Sequence, residues 1–348
     1  MKRNAGFTLI ELVVAVAVFA IFFIGILNML DSSSKVSREQ SALADVQENV
    51  RYATYHIMRT ARMIGASSMP IARSAPSVAW VAADIRNNSS GTETIVPFGS
   101  ITVQAGSDVV TLRGLFEHSP FPVQRYDVNL GTGTIVIRES VGTRQINDFT
   151  GLPASDAFSG RGLLLMGMGE LGDTSYRVVE VLGGAAMAGT APNRTLTLNF
   201  VSGNAPWEAL NPGGSYIVPT FEVYRIGILE SYTYYVDPEF TLMRRRVATG
   251  ASGEPVAVQI GNLQVAVGLD TTGDGAIDTW DTTLGVVAAA TRARAMRISV
   301  LGRTGFQLPG WKQPASTFNV EDLPVATVDS SAKWRTMQVT ATLRNYIL

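Results

Sequence analysis

The feature that most constrains this chain is its opening, "MKRNAGFTLIELVVAVAVFAIFFIGILNML". Residues 12–30 are apolar except for Asn28, and as a helix they span about 28 Å, close to one bilayer core. Lys2 and Arg3 precede the run, which predicts a cytoplasmic N-terminus and export of everything behind it. An ordinary signal peptide would be cut after its apolar run at small residues, and "DSSSK" is a poor match to such a site. Glu11 is the anomaly. An ionised side chain inside a membrane helix costs about 2.5–3.5 kcal/mol at the centre and marks a candidate functional site. Its place in the first turns lowers that cost, because the helix dipole favours an acid there. A cut after Gly6 would create an α-amine on Phe7, a cation able to neutralise Glu11 of the same or a neighbouring subunit.

The helical pattern runs on. Leu43, Val46, Val50, Ala53, Ile57, Ala61 and Ile64 recur at steps of three and four, opposite Glu39, Asp45, Glu48, Arg51, Arg59 and Arg62. This predicts one rod from Phe7 to Ile64, about 87 Å long, stopped by Gly65 and Pro70. Ser32, Ser33 and Ser34 mark a candidate weak point between its halves.

Beyond residue 70 the pattern becomes short alternating runs broken by Gly, Pro and Asn, as half-buried antiparallel strands are. Strands are expected in 108–114, 134–140, 175–182, 194–201, 231–237, 255–270, 295–303 and 337–345, with loops at 65–100, 141–161 and 303–333. The fold class is therefore α+β: a long N-terminal helix, half of it transmembrane, packed on an elaborated antiparallel sheet domain. With 46% apolar residues in 348, the chain can bury a sizeable core. The net charge of −1, or −3 once Lys2 and Arg3 leave with a leader, argues against a nucleic-acid-binding protein. The absence of cysteine excludes disulfides and thiolate metal sites, and two histidines make a multi-histidine centre an unpromising idea.

The opening resembles the class III signal of type IV prepilins and type II secretion pseudopilins, carried by Gly6, Phe7, Thr8, Leu9, Ile10 and Glu11 in "GFTLIELVVAVAVF". That resemblance implies a peptidase cut between Gly6 and Phe7, methylation of the new terminus, and a subunit contact through Glu11. The helix lacks the proline kink of many major pilins. Later segments, "IMRTARMIGA", "ESYTYYVDPEFTLMRRR", "QIGNLQVAVGLDTTGDGAIDTW", "ARAMRISVLGR" and "VTATLRN", resemble PilW-like minor pilins and, more distantly, GspJ-like pseudopilins. The implied organisation is a leader at 1–6, a membrane and filament-core helix at 7–30, its amphipathic continuation at 31–65, and an exported head at 66–348. The implied function is a non-enzymatic minor pilin that helps initiate or tip a type IV pilus, made in the inner membrane and then placed at the cell surface or in the periplasm. Its implied partners are other minor and major pilins, the prepilin peptidase and the inner-membrane assembly machinery. Two alternatives remain open at this stage: a type II secretion pseudopilin, and a membrane-anchored adhesin or carbohydrate-binding module.

"DTTGDGAIDTWD" (270–281) has the spacing of a twelve-residue calcium loop. Its ligand positions hold Asp270, Thr272, Asp274, Ala276 (through its carbonyl), Asp278 and Asp281, with Gly275 at the turn. Thr272 is a weaker ligand than Asp, Asp281 is shorter than the usual Glu, and strand-like sequence precedes the loop. An acidic surface turn is the competing reading. Calcium is the one cofactor expected, with no organic cofactor. "GMGELG" (167–172) lacks the helix a dinucleotide site needs. His56 reads as a surface or packing residue, and His118 lies in "EHSPFP" with no nucleophile pattern. "MRRR" and "ATRARAMR" read as strand faces or pilin contacts.

Overall fold

In a computed structural model, the described residues are 8–64, 82–95, 99–116, 121–122, 128–129, 134–138, 162–167, 176–190, 193–201, 207, 210–211, 223–246, 253–283, 292–307, 312–314, 318–324 and 329–343. Gly6, Phe7, Gly65, His118, residues 141–161 and residues 168–172 of "GMGELG" lie outside them.

Helix α1 runs unbroken from Leu9 to Ala61, 53 residues, or about 80 Å. Thr8 caps its start and Arg62 its end. The three serines do not interrupt it: Ser34 turns its hydroxyl back onto the Asp31 carbonyl at 3.1 Å, and Lys35 pairs with Asp31 across one turn at 2.6 Å. Local bonds thus satisfy the polar groups that would otherwise compete with the helix.

Among the described residues, seventeen strands follow. β1 (Ala83–Arg86), β4 (Val109–Gly114), β5 (Phe121–Pro122), β6 (Val128–Asn129), β7 (Thr134–Arg138), β8 (Gly162–Gly167), β9 (Tyr176–Ala188), β10 (Thr195–Val201), β11 (Val223–Val236), β12 (Leu242–Arg246) and β13 (Glu254–Ala257) form an 11-stranded sheet. Its main path is β1-β4-β11-β8-β9-β10-β7-β6, with β5 and β12 also on β11 and β13 on β12. β14 (Ile260–Asp270), β15 (Thr279–Asp281), β16 (Arg292–Arg303) and β17 (Trp334–Thr342) form a 4-stranded sheet in the order β15-β14-β16-β17. β2 (Thr92–Ile95) and β3 (Gly99–Thr102) make a separate hairpin. Every pairing among the described residues is antiparallel.

Two expectations are corrected. The region 65–100 was expected to be loop but holds β1, β2 and the start of β3; these strands are four residues each, too short to establish an alternation. The run 255–270 is two strands, not one. Val258 and Gln259 turn between them, with Gln259 in the left-handed region at φ 60°, where its carbonyl receives the Arg303 N–H at 2.8 Å.

The second half of α1 lies across the 4-stranded sheet, chiefly over β16 and β17, and also touches β13 and β14. Val46, Val50, Ala53, Ile57, Ala61 and Ile64 are buried there, in one core with Val110 and Leu112 of β4, Tyr232 and Tyr234 of β11, Val265 of β14 and Ile298 of β16. Gly302 sets how closely the helix approaches: a Cβ at this position would lie 2.3 Å from Val50 Cγ2 and 2.7 Å from Val46 Cγ1. Polar contacts fix the register along the groove. Asn49 donates to Gln259 Oε1 at 3.4 Å, and Lys333, just before β17, pairs with Glu39. A smaller core of Leu301, Phe318, Val320, Leu323, Ala332 and Trp334 holds part of the 303–333 segment onto the sheet.

Candidate functional site

The first half of α1 has no partner among the described residues. Large apolar side chains from Leu9 to Leu30 stand in the open, Leu9 at 81%, Phe22 at 69% and Met29 at 76% exposure. This is the one helix among the described residues long and apolar enough to cross a membrane. Ile10, Glu11, Val14, Ala15, Val18, Phe19 and Phe22 line a shallow, mostly apolar groove along this stretch, and Phe19 stacks on Phe23 with centroids 6.0 Å apart.

Glu11 closes the top of this helix in a reciprocal cap. Thr8 Oγ1 accepts from the Glu11 N–H at 3.3 Å. Glu11 Oε2 in turn accepts from the Thr8 N–H and the Thr8 hydroxyl, each at 2.9 Å. The T-x-x-E spacing of a capping box carries this pair; read from the sequence, Thr8 was part of the motif but not a cap. The carboxylate is thereby held at the helix N-terminus. Gly6 and Phe7 themselves fall outside the described residues.

The 270–281 loop is the hairpin connection between β14 and β15. Gly275 supplies the expected turn, at φ 92°. The six calcium positions, however, do not gather around one point. Val267 pairs with Asp281 and Leu269 with Thr279, so Asp281 lies three residues along β14 from Asp270. That is about 10 Å, on the opposite face of the strand. Two oxygens on one calcium ion are at most about 5 Å apart. The carboxylates are also engaged elsewhere. Asp270 is fully buried and accepts from Arg294 Nε at 2.9 Å and Nη2 at 2.6 Å, and from the N–H groups of Gly273 and Gly275 at 2.6 and 3.0 Å. Asp278 Oδ2 receives the hydroxyl and N–H of both Thr271 and Thr272. Asp281 accepts from Thr283, and Asp274 from the Ala276 N–H. The Arg294 hydrogen bonds hold the Asp270 carboxyl below its usual range, and the threonines do the same for Asp278. The residues as placed do not fit a single calcium ion, and among the described residues no group of three or more acidic or histidine side chains converges to hold a metal.

Arg294 is the residue that the sequence did not disclose. The pairing of β14 with β16 passes from Gly268–Ala295 to Leu269–Ala293, which makes Arg294 the extra residue of a β-bulge. Bulges re-aim side chains, and this one turns a cation onto the buried Asp270. The remaining basic clusters are similarly committed: Arg244 to Glu254 and Arg246 to Glu230, and Arg297 to Glu321 and over the Trp280 ring at 4.1 Å.

Residues 1–27 match the family described as prokaryotic N-terminal methylation motif. Residues 229–345 match the family described as type IV pilus-assembly protein W. That second stretch covers most of β11 and all of β12 to β17, which includes the whole four-stranded floor under the helix. Among solved structures, a type IV-like pilin from Thermus thermophilus is similar at 13% identity, covering 55% of this chain and 88% of that one, with a TM-score of 0.23. No curated relative matches the chain.

Proposed function

We propose that this chain is a PilW-like type IV pilin, as its matches at 1–27 and 229–345 support, and that it acts as a minor pilin in starting or tipping a pilus. Its action is packing rather than catalysis. The precursor is held in the inner membrane by residues 7–30, cut between Gly6 and Phe7, and drawn into a filament with other minor and major pilins. The observation that carries this reading is the exposed apolar half of α1, continuous with a half that is docked on the PilW-like segment. A surface of that kind needs lipid before assembly and sister helices after it. Glu11, fixed by Thr8 and lining the groove, then meets the α-amine of a neighbour's Phe7. The large head, extended by β1 to β10 beyond the PilW-like segment, favours the end of a filament, where no subunit has to stack above it.

The test uses the full-length chain in its own membrane with its co-expressed pilins. Gly6→Ala leaves uncut precursor, read by mass spectrometry of the N-terminus. Glu11→Ala is cut but no longer co-purifies with partner pilins, whereas Thr8→Ala, which removes the cap alone, still does. Normal co-purification of the Glu11 variant overturns the pairing. Recovery of secretion pseudopilins in place of pilus subunits moves the chain to the type II secretion reading.

A further inference from the structure

His56 lies on the flank of α1 that faces the larger sheet, and it is tied there by a hydrogen-bond chain whose direction can be worked out. Arg244 Nη1 stands 3.5 Å from His56 Nε2. A guanidinium only donates, so Nε2 has to be the bare, accepting nitrogen and the ring proton sits on Nδ1. Nδ1 is 3.1 Å from the Tyr234 hydroxyl, which takes that proton as acceptor. Tyr234 then gives its own O–H to Thr60 Oγ1 at 2.8 Å, and Thr60 donates to the His56 carbonyl at 3.3 Å. Arg244 is held in place, with Glu254 at 2.6 Å on Nη2 and the Tyr232 ring centroid 5.1 Å away. Thr60 and Tyr234 are buried, and the imidazole is half-buried, within reach of solvent protons.

We propose that His56, Tyr234, Thr60 and Arg244 form an acid-sensitive clasp, which fastens α1 to β11 and β12 only while the imidazole is neutral. A second proton has one place to go, Nε2, and there it sets an N–H and a positive charge against the guanidinium. The groups acting on the ring come from every described element around it. Burial acts first in holding the imidazole below its ordinary range, followed by Arg244 of β12 and Arg59 of α1, with Glu254 of β13 opposing them. Tyr234 of β11 is neutral, its own ionisation pushed up by burial, and the Tyr52 ring of α1 flanks the imidazole at 6.1 Å. Because the folded value lies below the unfolded one, this contribution is full above about pH 6.5 and is lost as the pH falls through the folded value. The contact of Val46 and Val50 with Gly302 is apolar and does not titrate. Acid therefore opens one flank of the helix seat and leaves the other.

Hydrogen exchange of the full chain in detergent micelles at pH 7.5 and 5.5, corrected for the intrinsic rate, reads this directly. Peptides covering 54–61 and 232–236 lose protection in acid in the wild type, by up to tenfold in the opening constant per pH unit between about pH 6.5 and the folded value, and no further below it. His56→Gln shows no such dependence, and peptides covering 43–50 are unchanged in both proteins. The comparison has to be between variants, since Asp108, a carboxyl buried between Asn88 and Val265 and pushed up to about 7 by that burial, titrates in the opposite sense. Equal acid responses in wild type and His56→Gln overturn the proposal. An NMR titration of the wild-type histidines avoids any folding defect of the variant: a midpoint below 6.5 with the proton on Nδ1 supports the clasp, and a midpoint at or above 6.5 refutes it.

Discussion

Gly302→Ala tests how the helix is seated on the sheet. The added methyl carbon would lie 2.3 Å from Val50 Cγ2 and 2.7 Å from Val46 Cγ1, where carbons normally rest at about 3.5–4.0 Å. The nearer contact falls short by roughly 1.2 Å or more. Valine in a helix is confined largely to one χ1 rotamer, so the side chains cannot swing aside. The helix must lift, and lifting it loosens Val46, Val50 and Ala53 together, all of which are fully or almost fully buried. Overpacking of this kind costs about 1–3 kcal/mol. For a head of this size that corresponds to a fall of about 2–5 °C in Tm. Thermal unfolding of the full-length protein in detergent, followed by circular dichroism, measures it. Val50→Ala in the same chain makes room for the new methyl, so the double variant should lose less than the two single losses added together, with a coupling of about 0.5 kcal/mol or more. A Gly302→Ala protein that melts within about 1 °C of wild type, or strictly additive losses, would refute the seating of α1 on β16.

Two further outcomes follow from the buried charges. Calcium or EGTA should leave the melting curve of the wild type unchanged, because Arg294 already neutralises Asp270; Arg294→Gln should lower Tm and speed exchange in the β14–β15 hairpin, and a rise in Tm on adding calcium to the wild type would contradict this. Asp108 is buried and pushed up to about 7, by burial first, while the N–H groups of Asn88 and Val265 pull the other way. Its raised value means that stability is greatest below the unfolded value and declines as the pH rises toward 7, by an amount of order 4 kcal/mol. Asp108→Asn should flatten that decline in a denaturant titration run between pH 4 and 8, and an unaltered slope would count against the burial argument.

The helix could be read from the sequence because its apolar steps of three and four persist over many turns, and Val46, Val50, Ala53, Ile57 and Ala61 are buried as that spacing requires. The longer strands were also legible: β16 and β17 fall on 295–303 and 337–345 with small shifts of their ends. What failed to show was set by register. Whether Asp270 and Asp281 can meet depends on which residues of β14 and β15 pair, and a shift of one position in either strand exchanges the faces. The bulge at Arg294 has no sequence mark, since neither glycine nor proline accompanies it in "TRARAMR". His56 was read as packing or surface because its partners, Tyr234 and Arg244, are more than 170 positions away.

The two halves of α1 are under different physical control. The docked half gains from leaving water, since burying a Val or Ile side chain contributes about 1.5–3 kcal/mol. In the proposed assembly the exposed half would leave lipid, not water, on joining a filament, and lipid tails are as apolar as the sister helices that would replace them. Exchanging one for the other along Leu9 to Leu30 therefore gives little net drive, however large the apolar area. Selection of a partner falls to groups for which lipid and protein differ most, and in this stretch the ionisable one is Glu11. An acid in a low-dielectric setting is costly alone and stabilised by a nearby cation. The Thr8 cap lowers the cost of waiting in the membrane without removing the charge. On the proposed assembly, that division assigns partner selection to a single carboxylate in an otherwise apolar segment, and loss of Glu11 should spare insertion while abolishing incorporation.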